Sequence, residues 1–208
     1  MPSTPSLSPT TTPPRRPVSV AITGGIGAGK SEALKAFALH GAAVVSSDDI
    51  VHALLREDEG VRSALVERFG PEVIDENGEV DRALIAETVF KDDAALEWLE
   101  ALLHPRVIQE YMAWREQLAQ RPHPPALSVT EVPLLYESGG ETRFDYVVVI
   151  TAPADLRSER TQVRADDRAL RLIPDEEKVE RADFAYVNDG TLAELDAFVA
   201  DVVARLSP

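Results

Sequence analysis

Cysteine is absent from this 208-residue chain, which excludes disulfides and thiolate metal centres and fits a reducing compartment. No uninterrupted apolar run approaches the roughly 20 residues that a membrane-spanning helix requires, so no membrane role is expected. Positive charge is scarce: 21 Lys and Arg stand against 36 Asp and Glu, for a formal net charge of -15. A surface this acidic repels polyanions, which argues against nucleic-acid binding and leaves room for a small phosphorylated ligand only where basic residues gather. Residues 1–17 contain no acidic residue and are rich in Ser, Thr and Pro, too little apolar surface to order themselves, so a disordered tail is expected. That tail has no apolar centre for a secretory signal, although Arg15 and Arg16 keep an organelle-transit reading open.

The remainder, in a chain 44% hydrophobic and 27% charged, has the balance of a soluble globular domain. Its most informative stretch is Val18 to Ser31, VSVAITGGIGAGKS. Val18, Val20 and Ile22 suit a buried strand, and Gly24, Gly29, Lys30 and Ser31 satisfy the G-x-x-x-x-G-K-[ST] spacing of a phosphate-binding loop. Glycines let the backbone curl so that successive N–H groups face one anion, and the following helix adds its positive end. Gly25, Ile26, Gly27, Ala28, Gly29, Lys30 and Ser31 are therefore the candidate ATP-binding residues, with Lys30 reaching the β- and γ-phosphates and the Ser31 hydroxyl a ligand for Mg²⁺. A glycine-rich turn that merely joins strand to helix is the competing reading.

Further along, Ala42 to Ser46 forms a second strand ending in Ser46-Ser47-Asp48-Asp49, at the carboxyl end where parallel α/β sheets keep their ligands. Asp48 is a candidate site residue there and a candidate cap for a helix over Ile50 to Arg56. From Asp58 to Arg121 the pattern is mainly helical, with Asp81 and Asp92 or Asp93 as N-caps. Pro105 is expected to separate a helix ending near His104 from another reaching Gln120. Leu127 to Glu131, Tyr146 to Thr151 and Phe184 to Val187 complete five strands, and Thr191 with Glu194 has capping-box spacing for the last helix. Strand and helix alternate, so the class is α/β with a mostly parallel sheet. Arg157, Arg160, Arg164, Arg168 and Arg171 recur at separations of three or four. They form either a solvated face paired with nearby acids or an arginine lid over ATP.

Taken together, TGGIGAGKS at Thr23 to Ser31, SSDDI at Ser46 to Ile50, GEVDR at Gly78 to Arg82, LLHP at Leu102 to Pro105, VPLLYE at Val132 to Glu137, and Ala182-Asp183-Phe184 leading to Asn188 and Gly190 resemble the dephospho-CoA kinase family. The resemblance implies a P-loop kinase fold, with a five-stranded mostly parallel sheet in the order 2-3-1-4-5. It implies a nucleotide-binding core over 18–47 and 126–208, a lid at approximately 157–174, and a helical CoA-binding region over 48–125. It implies a cytoplasmic enzyme, a monomer or weak homo-oligomer, that transfers phosphate from ATP, with Mg²⁺, to the ribose 3′-hydroxyl of dephospho-CoA. On that reading Asp48 faces the hydroxyl as base or orienting group, and Lys30, Arg160 and Arg164 meet the moving phosphoryl. Asn188 joins the ATP site, and Arg82, His104, Arg106, Pro133 and Leu134 serve the acceptor. His104 has a packing role as its alternative, and Arg82 and Arg106 have surface ion pairs as theirs. Ser46 stands where the family usually carries a first Asp, and the segment between Arg164 and Arg168 is shorter than usual. Two other functions remain open at this point, a kinase for another small acceptor such as a nucleoside monophosphate, and a nucleotide-binding regulator without turnover.

Overall fold

The computed structural model describes residues 16–160 and 173–207. Five strands, β1 (Val18–Thr23), β2 (Ala43–Ser46), β3 (Leu127–Glu131), β4 (Tyr146–Thr151) and β5 (Phe184–Val187), form one sheet ordered β2-β3-β1-β4-β5. Every pairing is parallel, as the alternation of strand and helix and the family resemblance imply. Because a parallel sheet is covered on both faces, its strands read as nearly continuous apolar runs. Val20, Ile22, Val129, Val148 and Ile150 pack on one side against α1 (Lys30–Leu39) and α8 (Leu192–Leu206). On the other side Ala21, Val147 and Val149 meet Leu135 and Tyr136 from the segment after β3. Thr191 and Glu194 make the expected reciprocal capping box at the start of α8.

Between β2 and β3 the chain is helical: α2 (Ser47–Glu57), α3 (Glu59–Phe69), α4 (Arg82–Lys91) and α5 (Asp93–Ala119). Asp81 caps α4 through the N–H groups of Ala83 and Leu84, and Asp92 caps α5 in the same way. Contrary to the expectation of two helices meeting at Pro105, α5 runs unbroken through the proline. A mid-helix proline removes one backbone hydrogen bond and costs about 3 kcal/mol. Burial on both sides outweighs it: Ala95 and Leu103 join a core with Leu55, Val61, Leu65, Ile85 and Val89, while Val107 and Tyr111 join a second with Ile50 and Leu54. In the turn that the proline disturbs, Arg106 Nη1 donates to the Leu102 carbonyl at 2.7 Å. After β4 come α6 (Ala154–Arg160), which carries Arg157 and Arg160, and α7 (Asp175–Glu180), a short helix behind Pro174.

The amino ends of β1 and β4 are tied by Asp145, whose carboxylate accepts bonds from the Ser19 N–H and Oγ, both at 2.8 Å, and from both terminal nitrogens of Arg16. Those donors, the Arg16 bond foremost, hold the Asp145 carboxyl well below the usual carboxylate range. The folded pKa is therefore lower than the unfolded value of about 3.9, and the stabilisation is present above that value and lost as pH falls below it. Urea midpoints measured between pH 5 and pH 3 are expected to fall more steeply for the wild type than for Asp145→Asn. Equal slopes would remove Asp145 from the acid response.

Candidate active site

The loop between β1 and α1 is shaped by its neighbours. A Cβ on Gly24 would lie 1.9 Å from the Ile150 carbonyl oxygen, and one on Gly29 would lie 2.2 Å from Asn188 Nδ2. Both residues have positive φ, so glycine is needed for space and for backbone conformation alike. Gly29 stands at the N-cap of α1 and supplies no side-chain cap, which leaves the N–H groups of the first helical turn open to an anion. Ile26 and Gly27 make the rim, with Ile26 51% exposed and Gly25 buried beneath them. Ala28 is fully buried and presents only its backbone.

Lys30 folds over this rim, its Nζ donating to the carbonyls of Gly24 at 3.2 Å and Gly25 at 3.0 Å. Burial pushes its ammonium down from the ordinary lysine range, and the nearby carboxylates of Glu131 and Asp48 oppose that shift. At the carboxyl end of β3, Glu131 is 5% exposed and accepts a long hydrogen bond of 3.4 Å from Ser31 Oγ. Burial raises the Glu131 carboxyl, and Lys30 acts in the other direction. Asn188 reaches the loop, where its Nδ2 donates to the Ala28 carbonyl at 2.9 Å, and Arg160 Nη1 in turn donates to the Asn188 carbonyl at 3.2 Å. Arg157 pairs with Asp175 at 2.9 Å, directly against Gly25. Of the arginine stripe, Arg164, Arg168 and Arg171 lie outside the described residues.

On the acceptor side, the cap of α2 differs from expectation. Ser46 is the N-cap, its Oγ accepting from the Asp48 N–H at 3.2 Å, and α2 starts at Ser47. Asp48 is thereby freed from capping and stays exposed. A cleft opens between α5, the loop and the segment 132–140. One half, about 440 Å³, is bordered by Gly24, Ile26, Lys30 and Glu137. The other, about 190 Å³, is bordered by Asp48 and Ser47. His104, Pro133, Leu134 and Ser138 line both halves, so the two are adjoining parts of one space. Pro133 is fixed there because Thr23 Oγ1 donates to its carbonyl at 3.2 Å and the Val132 N–H extends the ladder to the Ile22 carbonyl at 2.9 Å.

The structure thus unites Asp48, His104, Pro133 and Leu134 with the loop, and it does not bring Arg82 or Arg106 to the lining. Arg82 is exposed at the start of α4. Arg106 is engaged by the Leu102 carbonyl and lies 3.9 Å from Asp58. The lining also holds Ser47, from the polar run at the carboxyl end of β2, and Arg143, which does not stand out until the chain folds. Sequence reasoning missed the fully buried Lys178 on α7, whose Nζ lies 2.7 Å from Glu137 Oε1 while the same oxygen accepts the Ile173 N–H. The only signal was Glu137 at the end of VPLLYE. Removing one partner of a buried pair strands the other, at a cost of about 3–5 kcal/mol. Glu137→Ala is therefore expected to lower the melting temperature by roughly 6–20 °C, measured by calorimetry. A change under about 2 °C would mean that Lys178 has another counter-charge.

A family profile described as dephospho-CoA kinase matches residues 18–194. Among curated relatives, the dephospho-CoA kinase of Brucella abortus (strain 2308) is 36% identical over 197 residues, covering 91% of this chain and 96% of the relative. That of Protochlamydia amoebophila is 35% identical over 198 residues, covering 90% and 95%. Among solved structures, the Thermus thermophilus protein TT1252 superposes with a TM-score of 0.73 at 32% identity, covering 93% of this chain and all of that one. The Campylobacter jejuni dephospho-CoA kinase, at 24% identity, shares the fold with a TM-score of 0.69 and covers 91% of this chain and 96% of its own.

Proposed function

Because the chain belongs to the dephospho-CoA kinase family, we propose a division of labour by which this site moves the γ-phosphoryl of ATP to the ribose 3′-hydroxyl of dephospho-CoA. The reaction yields ADP and CoA and is the last step of coenzyme A biosynthesis. One observation carries the assignment of roles: the phosphate loop and Asp48 open into a single cleft through His104, Pro133 and Leu134. The open N–H groups at the start of α1 and the Lys30 ammonium hold the triphosphate. Lys30 leaves the Gly24 and Gly25 carbonyls for the phosphate oxygens, a stronger charge-assisted partner. Across the cleft, Asp48 accepts a hydrogen bond from the acceptor hydroxyl, orients its lone pair toward the γ-phosphorus and takes its proton as the bond forms. With a loose transition state, holding the two oxygens in line contributes more than basicity. Arg160, whose Nη1 donates to the Asn188 carbonyl beside the loop, meets the transferring group, with Arg164 as its proposed companion.

The donor set fits Mg²⁺ brought in with ATP. Among the described residues no three or more of His, Asp and Glu converge as a metal cage, so an ion bound here would take most of its ligands from phosphate oxygens and water. Ser31 Oγ would be its protein ligand, and Glu131, which accepts from Ser31 Oγ at 3.4 Å, would hold a water beside it. When bound, the ion screens charge on the β- and γ-oxygens. No described helix is long and apolar enough to cross a membrane. ATP and dephospho-CoA are the proposed substrates, and the cytoplasm the proposed location.

The test is ADP release with dephospho-CoA, AMP, CMP and adenosine offered in turn as acceptors. Dephospho-CoA is expected to give the highest kcat/KM. A clear preference for either monophosphate would overturn the acceptor assignment, and tight ATP binding without transfer to any acceptor would make the protein a nucleotide-binding regulator.

A further inference from the structure

The fully buried Lys178 has no part in the roles assigned above, yet α7 places its charge beside the phosphate loop. Its Nζ lies 2.7 Å from Glu137 Oε1, and among the described residues it has no well-aligned hydrogen-bond acceptor; Glu137 Oε2 is likewise buried without a donor. Glu137 borders the larger half of the cleft together with Gly24 and Lys30. The pair therefore backs the cleft wall next to the loop, and the Lys178 charge is near enough to act on the Lys30 ammonium. A second ion pair of α7, Asp175 with Arg157, also lies against the loop at Gly25. Its side chains are 20% and 32% exposed, so water weakens its field, whereas the Lys178 side chain is 0% exposed.

A lysine is rarely buried completely, because its ammonium loses hydration that an apolar side chain of similar volume never needs. A role in stability alone thus accounts poorly for Lys178. We propose that Lys178 is a positioning residue for ATP: held in place by Glu137, its buried charge draws the triphosphate into the loop beside Lys30 without touching it, an inference that rests on the ATP site proposed above. An anion in the loop feels Lys178 as attraction and Glu137 as repulsion, through protein that screens less than water. Removing either partner harms the fold in the same direction, but it changes the field at the loop in opposite directions. Folding and binding therefore respond differently to the same two substitutions, which separates a positioning role from a purely structural one.

Calorimetric titration of ATP with Mg²⁺, which needs no acceptor, reads that difference in Lys178→Met and Glu137→Gln. Both variants are expected to melt below the wild type, since each leaves one member of the pair without its partner. Lys178→Met is expected to raise the Kd for ATP roughly five- to tenfold. Glu137→Gln, whose amide oxygen still accepts from Lys178 and from the Ile173 N–H, is expected to leave it at or below the wild-type value. Kd values that rise together in both variants, or that stay at the wild-type value in Lys178→Met, would overturn the proposal. If Lys178→Met does not fold, the double variant Glu137→Leu with Lys178→Met decides. Its apolar pair needs no compensating charge and is expected to restore the melting temperature while ATP still binds several-fold more weakly. Wild-type affinity in that variant would make the pair structural only. A wild type that binds no ATP would overturn the function proposed above, whereas normal wild-type binding with parallel losses in the two single variants overturns the role of Lys178 alone.

Discussion

Lys30→Ala is expected to lower kcat for phosphoryl transfer by roughly 10²-fold or more, the scale set by removing one preorganised electrostatic contact from a transition state. The lysine is half-buried and close to two carboxylates, so its charge is less screened than on an open surface. Its Nζ donates to the carbonyls of Gly24 and Gly25. Alanine therefore removes two loop hydrogen bonds as well as the charge, and some loss of ATP affinity accompanies the fall in turnover. The loop's shape does not depend on the lysine, because it is set by the close approach of Gly24 to Ile150 and of Gly29 to Asn188. A melting temperature near that of the wild type, together with the loss of rate, separates catalysis from folding. Wild-type turnover in this variant would contradict the role given to the loop.

Asp48→Asn is expected to reduce kcat by about 10²- to 10⁴-fold, the range for a general base, with the KM for ATP largely kept. The structure makes this substitution a clean one. Had Asp48 been the cap of α2, its loss would have mixed a folding defect with a catalytic one, but Ser46 provides that cap. Asp48 stands at the second helical position, where its carboxylate contributes only about 0.3–1 kcal/mol through the helix dipole. A drop in melting temperature of more than a few degrees is thus not expected, and an unchanged rate would remove Asp48 from the chemistry.

These two residues also mark how far the sequence can be read. The phosphate loop was legible because its demands are local: a strand, glycines at positions where a Cβ has no room, and a lysine and serine opening a helix. Asp48 was legible as a polar residue at the end of a parallel strand, yet which residue of Ser46-Ser47-Asp48-Asp49 caps the helix was not. All four are good capping types, and the register depends on how β2 meets β3. Because Ser is as good a cap as Asp, Ser46 in place of the family's usual first Asp leaves the start of α2 intact. Pro105 misled in the opposite way. Its local signal is a helix boundary, and the packing of Leu103 on one side and Val107 on the other overrides it. Arg143 carried no sequence signal and Lys178 only that of its partner Glu137 in VPLLYE, since each acquires its meaning from groups brought together by tertiary contacts. The strand order came from family resemblance, because alternation of strand and helix fixes a parallel sheet without fixing which strands are neighbours.

The most direct measurement of the central claim is the identity of the product made from γ-labelled ATP and dephospho-CoA by the wild-type enzyme. If the loop and Asp48 act on one substrate pair across a shared cleft, the label appears on the ribose 3′-oxygen as CoA, in a one-to-one ratio with ADP, and Asp48→Asn slows both together by the same factor. ADP formed with the label in free phosphate, or CoA formed at an undiminished rate by Asp48→Asn, would contradict it.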